Sequence, residues 1–134
     1  MKQEENFIEE DNEKKSLFFD TYAFVEIIKG NHNYLPYKNA GIITTKLNIF
    51  ELYHGCLKDK NEELGEEVVQ KYFSLIKDFD REVIKEAAKL KFKLNKRNLS
   101  MADCIGYCFA KQLGIKFLTG DNQFKDMENV EFVK

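Results

Sequence analysis

Apolar and polar positions along the chain follow two alternating patterns. Ser16–Phe19 (SLFF) is a short continuous apolar run, the pattern of a strand covered on both faces. The segment that follows keeps helical periodicity as far as Gly30. Gly30–Tyr34 (GNHNY) is polar and reads as a loop. A second strand, GIIT, lies within Ala40–Thr44, and Thr45 is placed to cap a helix from Lys46 to about Lys58. Leu64, Val68, Tyr72, Phe73 and Ile76 recur at helical spacing, as do Val83, Ala87, Leu90 and Leu94 with Asp80 as their cap. Ser100 opens a further helix, MADCIGYCFAKQL, and Gly114 stands where a helix C-terminus takes glycine. Lys116–Thr119 (KFLT) predicts a strand, Gly120–Asn122 a turn and Val130–Val133 a last strand. Strands separated by helical segments predict an α/β domain with a mostly parallel central sheet flanked by helices. Such folds place their sites at the carboxyl ends of the strands.

Composition sharpens this in two ways. The chain has 134 residues, 43% of them hydrophobic, with twelve Phe, six Tyr and one Pro, which fits one domain with a real core and excludes a disordered or collagen-like chain. Residues 1–15 hold six acids and three lysines, a net of −3, and read as a charged, flexible tail; residues 16–134 are the domain, with a net of +1. A near-neutral body argues against binding nucleic acid by bulk charge alone. No apolar run is long enough for a membrane span and the acidic N-terminus does not resemble a leader, so a cytoplasmic location is expected. Cys56, Cys104 and Cys108 read as reduced thiols; the last two share a helix face, but small apolar packing explains them better than a metal site.

Most of the 23 acids lie in charged stretches. Asp20, Glu51, Asp103 and Asp121 do not. Asp20 ends the apolar run LFF, and Asp121 follows the strand FLTG. Glu51 has no other carboxylate within seven residues on either side, and Asp103 is the only charged residue between Met101 and Ala110. Burying a lone carboxylate is costly unless it is paired, protonated or metal-bound. Each also has a plainer explanation. Asp20 would cap the following helix, Asp103 would complete a capping box with Ser100, Asp121 would serve the turn, and Glu51 would pair with Lys46 or Lys58.

The ordered set LFFD-T, E-L-x-x-G (Glu51, Leu52, Gly55), LSMAD with Ala110 seven residues on, and FLTGDNQF resembles the PIN domains, in particular the small prokaryotic VapC-like ribonucleases. The resemblance runs from Ser16 to Lys134. It implies a single PIN-like α/β domain in which Asp20, Glu51, Asp103 and Asp121 form an acidic metal-binding quartet, with Thr119 as the threonine of T-x-D. It also implies a Mg²⁺- or Mn²⁺-dependent ribonuclease acting on RNA, often a homodimer, often the toxin of a toxin–antitoxin pair with an antitoxin partner. Many relatives carry a second acid two residues after the last aspartate; here that position is Gln123. Two alternatives stay open: an RNA-maturation or decay nuclease of the same fold, and a PIN fold kept as an RNA- or protein-binding module.

The chemistry of the residues is compatible with this. Hard divalent cations take oxygen ligands, and such an ion supplies both a more acidic water and charge neutralisation for in-line phosphodiester hydrolysis. Asp20, Asp103 and Asp121 are the expected ligands, with Glu51 a ligand or the base. His32 and His54 lack a partner set for nucleophilic catalysis, no phosphate-cradling glycine loop is present, and Tyr22 stands where a D-x-D phosphatase needs its second acid. In the basic stretch LKFKLNKRN, Lys93 and Arg97 are candidates to guide an RNA backbone towards Asp103; a solvated helix end accounts for the same charges.

Overall fold

The computed structural model describes residues 16–134; the expectations for the tail, including Phe7 and Ile8, lie outside the described residues. Four strands form one wholly parallel sheet in the order β2-β1-β3-β4. They are β1 (Ser16–Phe19), β2 (Gly41–Ile43), β3 (Lys116–Thr119) and β4 (Val130–Phe132). Among the described residues five α-helices accompany them: α1 (Thr21–Lys29), α2 (Lys46–Lys58), α3 (Glu62–Tyr72), α4 (Arg81–Lys93) and α5 (Met101–Leu113). No helix of the described residues is long and apolar enough to cross a membrane.

The central strands read as unbroken apolar runs because both their faces are covered. Phe18 and Phe117 point to one side, where they stack at 5.5 Å between ring centroids and pack with Val83, Ala87, Ile105 and Phe109 of α4 and α5. Leu17, Phe19 and Leu118 point to the other side, against Phe24, Ile49, Leu52, Val68 and Tyr72 of α1, α2 and α3. The result is a three-layer sandwich. Thr45, Asp80 and Ser100 cap α2, α4 and α5 as the sequence predicts, each accepting a backbone N–H of the first turn. Gly114 closes α5 at φ 72°, where a side chain would be strained.

Two stretches depart from the periodicity. The spacing of Phe73 and Ile76 extends the third helix too far; α3 ends at Tyr72 and a 3₁₀ turn follows over Phe73–Leu75. The backbone there is taken up by β2 instead. Thr44 N–H donates to the Leu75 carbonyl at 3.1 Å, and Lys77 N–H donates to the Thr44 carbonyl at 3.0 Å, so Ile76 bridges Thr44 in parallel. His32–Tyr37, beginning inside the expected loop, forms a 3₁₀ helix that buries Tyr34.

Candidate active site

Every element that carries one of the four acids ends or begins at the carboxyl edge of the sheet. Asp20 follows β1 and Asp121 follows β3, neighbouring strands paired in register. Asp20 N–H continues the pairing by donating to the Leu118 carbonyl at 3.2 Å. Glu51 lies in the second turn of α2, which starts just past β2, and Asp103 lies in the first turn of α5. Gly120 makes the approach to Asp121 possible: a Cβ there would stand 2.2 Å from the Val133 carbonyl and 2.4 Å from the Tyr22 ring.

Asp20 is the centre. It is 3% exposed, and it makes no side-chain cap for α1; instead its Oδ2 accepts from the Thr119 hydroxyl at 2.8 Å. The capping explanation of Asp20 therefore gives way to a buried acid. Burial, then the charge of Asp103, pushes its carboxyl up to about 8, with Glu51 adding to the rise and the Thr119 and Thr21 hydrogen bonds opposing it. Thr119, itself fully buried, also accepts the Asp121 backbone N–H through its hydroxyl oxygen at 3.1 Å, so one side chain ties two of the acids together.

The other acids do double duty. Asp103 completes the capping box: its Oδ2 accepts from Ser100 N–H at 2.8 Å while Ser100 Oγ accepts from Asp103 N–H at 3.0 Å. Its carboxyl is nevertheless raised, first by burial and then by Glu51 and Asp121, with the Ser100 backbone hydrogen bond opposing the rise. Asp121 Oδ1 accepts from Gln123 N–H at 2.9 Å and caps the 3₁₀ turn Asn122–Phe124. Glu51 pairs with neither Lys46 nor Lys58; its Oε1 accepts from the Thr21 hydroxyl at 2.6 Å. Lys46 meets Asp78 at 3.9 Å on the surface. Capping and clustering thus coexist in Asp103 and Asp121, because each uses one carboxylate edge for the backbone.

The donor set is four carboxylates, hard oxygen ligands of the kind that Mg²⁺ and Mn²⁺ prefer. Fully ionised it would place four negative charges in one crevice, which raised pKa values or a cation must relieve. Among the described residues no three His, Cys, Asp or Glu side chains stand together as a closed metal-holding group. The side chains lie instead on their tethers to Thr119, Thr21, Ser100 and Gln123. The chemistry of the donors fits a divalent ion.

The basic candidates part company. Arg97 bonds the Gln123 carbonyl at 2.6 Å and Asp126 at 3.1 and 3.3 Å, so its guanidinium holds the turn that follows Asp121. Lys93 is exposed and lines a groove between α4 and α5 with Lys89, Tyr107 and Lys111. His54 is exposed and stacks on Phe50, one residue before Glu51, while His32 stays on the surface. Cys104 and Cys108 are free thiols raised by burial, Cys108 to about 11, and both pack in the α4–α5 core. Sequence reasoning missed Thr21 and Asn48. The signal was present: Thr45, Asn48 and Glu51 are spaced by three, which lines polar groups along one side of α2.

The PIN domain family model matches residues 17–130. Comparison with curated proteins by sequence returns no match. Among solved structures, the Sarcin-Ricin loop cleaving toxin VapC20 of Mycobacterium tuberculosis is 12% identical with a TM-score of 0.74, over 88% of this chain and 99% of that one. VapBC2 of Rickettsia felis, solved bound to a DNA fragment from its promoter, is 19% identical with a TM-score of 0.67, over 89% and 99%. FitAcB of Neisseria gonorrhoeae is 18% identical with a TM-score of 0.60, over 80% and 88%. At these identities the structural likeness speaks for the fold; with a family model spanning nearly all the described residues, the chain belongs to the PIN domain family.

Proposed function

We propose that this protein is a divalent-metal-dependent ribonuclease. The observation that carries the reading is Asp20: a carboxyl 3% exposed, pushed up to about 8 by burial and by other acids at the same sheet edge. A merely structural position would take Asn there, keep the Thr119 hydrogen bond and avoid the charge. A Mg²⁺ or Mn²⁺ ion held by Asp20, Asp103 and Asp121, with Glu51 as ligand or base, would neutralise the crevice and offset charge building on the phosphoryl oxygens. Thr119 fixes Asp20 against Asp121, and Arg97 fixes the turn behind Asp121. Glu51, half-buried, would serve as the base that accepts a proton from an attacking water. Lys93 supplies positive charge for the RNA backbone, in a body too near neutrality to attract RNA by net charge.

The neighbours that are toxin–antitoxin complexes support a toxin role with an antitoxin partner, and the same reading carries a homodimer and a cytoplasmic setting. An RNA-maturation or decay nuclease would use the same site. Two observations favour a binding module instead: Gln123 stands where many relatives carry a further acid, and among the described residues the acids do not close on one another. Cleavage of single-stranded RNA by purified protein, with Mn²⁺ or Mg²⁺ and then with EDTA, separates the two. Turnover that EDTA abolishes and Asp20→Asn or Asp121→Asn removes, at unchanged circular dichroism, is expected. RNA binding without metal-dependent cleavage would favour the module.

A further inference from the structure

Behind Glu51 runs a chain of side-chain hydrogen bonds that leads away from the acids into the core. The Thr21 hydroxyl donates to Glu51 Oε1 at 2.6 Å. Asn48 Nδ2 donates to the Thr21 oxygen at 3.1 Å, and the Thr45 hydroxyl donates to Asn48 Oδ1 at 2.7 Å. Asn48 and Thr45 are both wholly buried. Counting protons fixes the direction of every link. Thr21 has one proton and gives it to the carboxylate, so it can only accept from Asn48. Thr45 Oγ1 already accepts Asn48 N–H at 3.3 Å, which leaves its proton for Asn48 Oδ1. Turning the Asn48 amide over would set lone pair against lone pair at Thr21.

Among the described residues the Asn48 side chain makes no other hydrogen bond. The cap of α2 uses Thr45 and the backbone of residue 48, whatever that residue is. The neighbouring buried positions of the helix, Ile49 and Leu52, are apolar, and an apolar side chain at 48 would avoid burying an amide. We propose that Asn48, backed by Thr45, is a positioning residue of the acidic site, holding the Glu51 carboxylate towards Asp20 and Asp103 through Thr21. The proposal rests on the nuclease reading and adds to it a buried second layer that the acids alone do not reveal. Layers of this kind, when removed, typically cost metal sites about 10- to 100-fold in affinity or activity.

The test uses the full chain carrying Asn48→Leu, Thr21→Val or both, with Thr21→Ser as the conservative variant. Mn²⁺ affinity is measured by calorimetry without RNA, and kcat and KM on single-stranded RNA with Mn²⁺. Each single variant is expected to weaken Mn²⁺ and lower kcat by about tenfold with KM little changed, and the double variant to lose no more than either single. Thr21→Ser should recover most of both. The link itself is read in metal-free protein from the Asn48 side-chain amide signals, which should move on Thr21→Val and on Glu51→Gln. Wild-type Mn²⁺ affinity and kcat in Thr21→Val, or in Asn48→Leu with only its melting temperature lowered, overturns the proposal and leaves Asn48 as a core amide. Wild-type protein inert towards both Mn²⁺ and RNA overturns the nuclease reading instead, and amide signals unmoved by Thr21→Val overturn the relay in either case.

Discussion

Replacing Asp20 with Asn should stabilise the metal-free protein at neutral pH while removing its activity. The native carboxyl titrates at about 8 against an ordinary value of 3.8, so the native state holds a proton that the unfolded chain has lost between those values. The stability tied to this group is therefore fully present below about 3.8 and falls as pH rises, until the native carboxyl itself ionises near 8. At pH 7 the gap to the ordinary value is about three units; at about 1.4 kcal/mol per unit, the upper bound is about 4 kcal/mol. Asn keeps an oxygen for the Thr119 hydroxyl, 2.8 Å away in the wild type, but brings an amide donor that needs a partner. Leaving that donor unpaired costs about 1–3 kcal/mol, so the net gain in EDTA is about 1–3 kcal/mol at pH 7. For a domain of this size that is a rise of about 4–12 °C in melting temperature. The assay is a set of thermal melts in EDTA at pH 5, 7 and 8.5. Wild type should lose stability steadily across the series, and Asp20→Asn should give a flatter profile that crosses above it. Asp80, Asp126 and Glu128 have lowered values and exert their opposite effect as pH falls through and below the ordinary carboxylate values of 3.8 and 4.5, under the lowest pH of the series. A wild-type melting temperature that rises from pH 5 to pH 8.5, or an Asp20→Asn protein less stable than wild type at pH 8.5, would refute the reasoning. Asp20 would then be a structural carboxylate with a satisfied charge.

Asp103→Asn should leave apo stability within about 1 kcal/mol of wild type, because Asn still accepts Ser100 N–H, yet abolish RNA cleavage. Ser100→Ala is its control: it should lose about 1 kcal/mol in denaturant melts and keep its Mn²⁺ affinity. Lys93→Ala should reduce the salt slope of RNA binding by about one, measured by titration at several salt concentrations, with kcat unchanged. Arg97→Ala, by releasing the Gln123 carbonyl and Asp126, should instead lower kcat and speed hydrogen exchange over Asn122–Asp126. Deleting Met1–Lys14 removes six acids and two lysines, and RNA affinity at low salt should hold or rise; a lower melting temperature would show that the tail packs on the domain.

What could be read from the sequence follows from where energy is local. SLFF and KFLT announce themselves because sheet faces covered on both sides leave no polar alternation. The caps Thr45, Asp80 and Ser100 are visible because a cap needs only the next three residues. The end of α3 was not visible, since Ile76 keeps helical spacing and only the distant Thr44 backbone withdraws it from the helix. The acids stood out because an isolated carboxylate in apolar sequence demands an explanation. Their tethers did not, because Thr21 and Asn48 look like ordinary helix residues until α1 and α2 are brought side by side. Arg97 shows the same limit: its charge suggests a path for RNA, while the turn it holds through partners 26 and 29 residues away is invisible in the sequence.

The order β2-β1-β3-β4 puts the first strand beside the third, and the Asp20–Thr119 hydrogen bond spans 99 residues. A ribosome therefore releases Asp20 and Glu51 long before the strand that completes their crevice exists. Until residues 116–121 have emerged, β1 has an open edge where β3 belongs and Asp20 lacks its threonine. The nascent chain carries only fragments of the acidic cluster, so a stalled or prematurely terminated product cannot assemble it. Docking of β3, a distant parallel pairing of the kind that forms slowly, is thus also the event that brings the four acids to one edge.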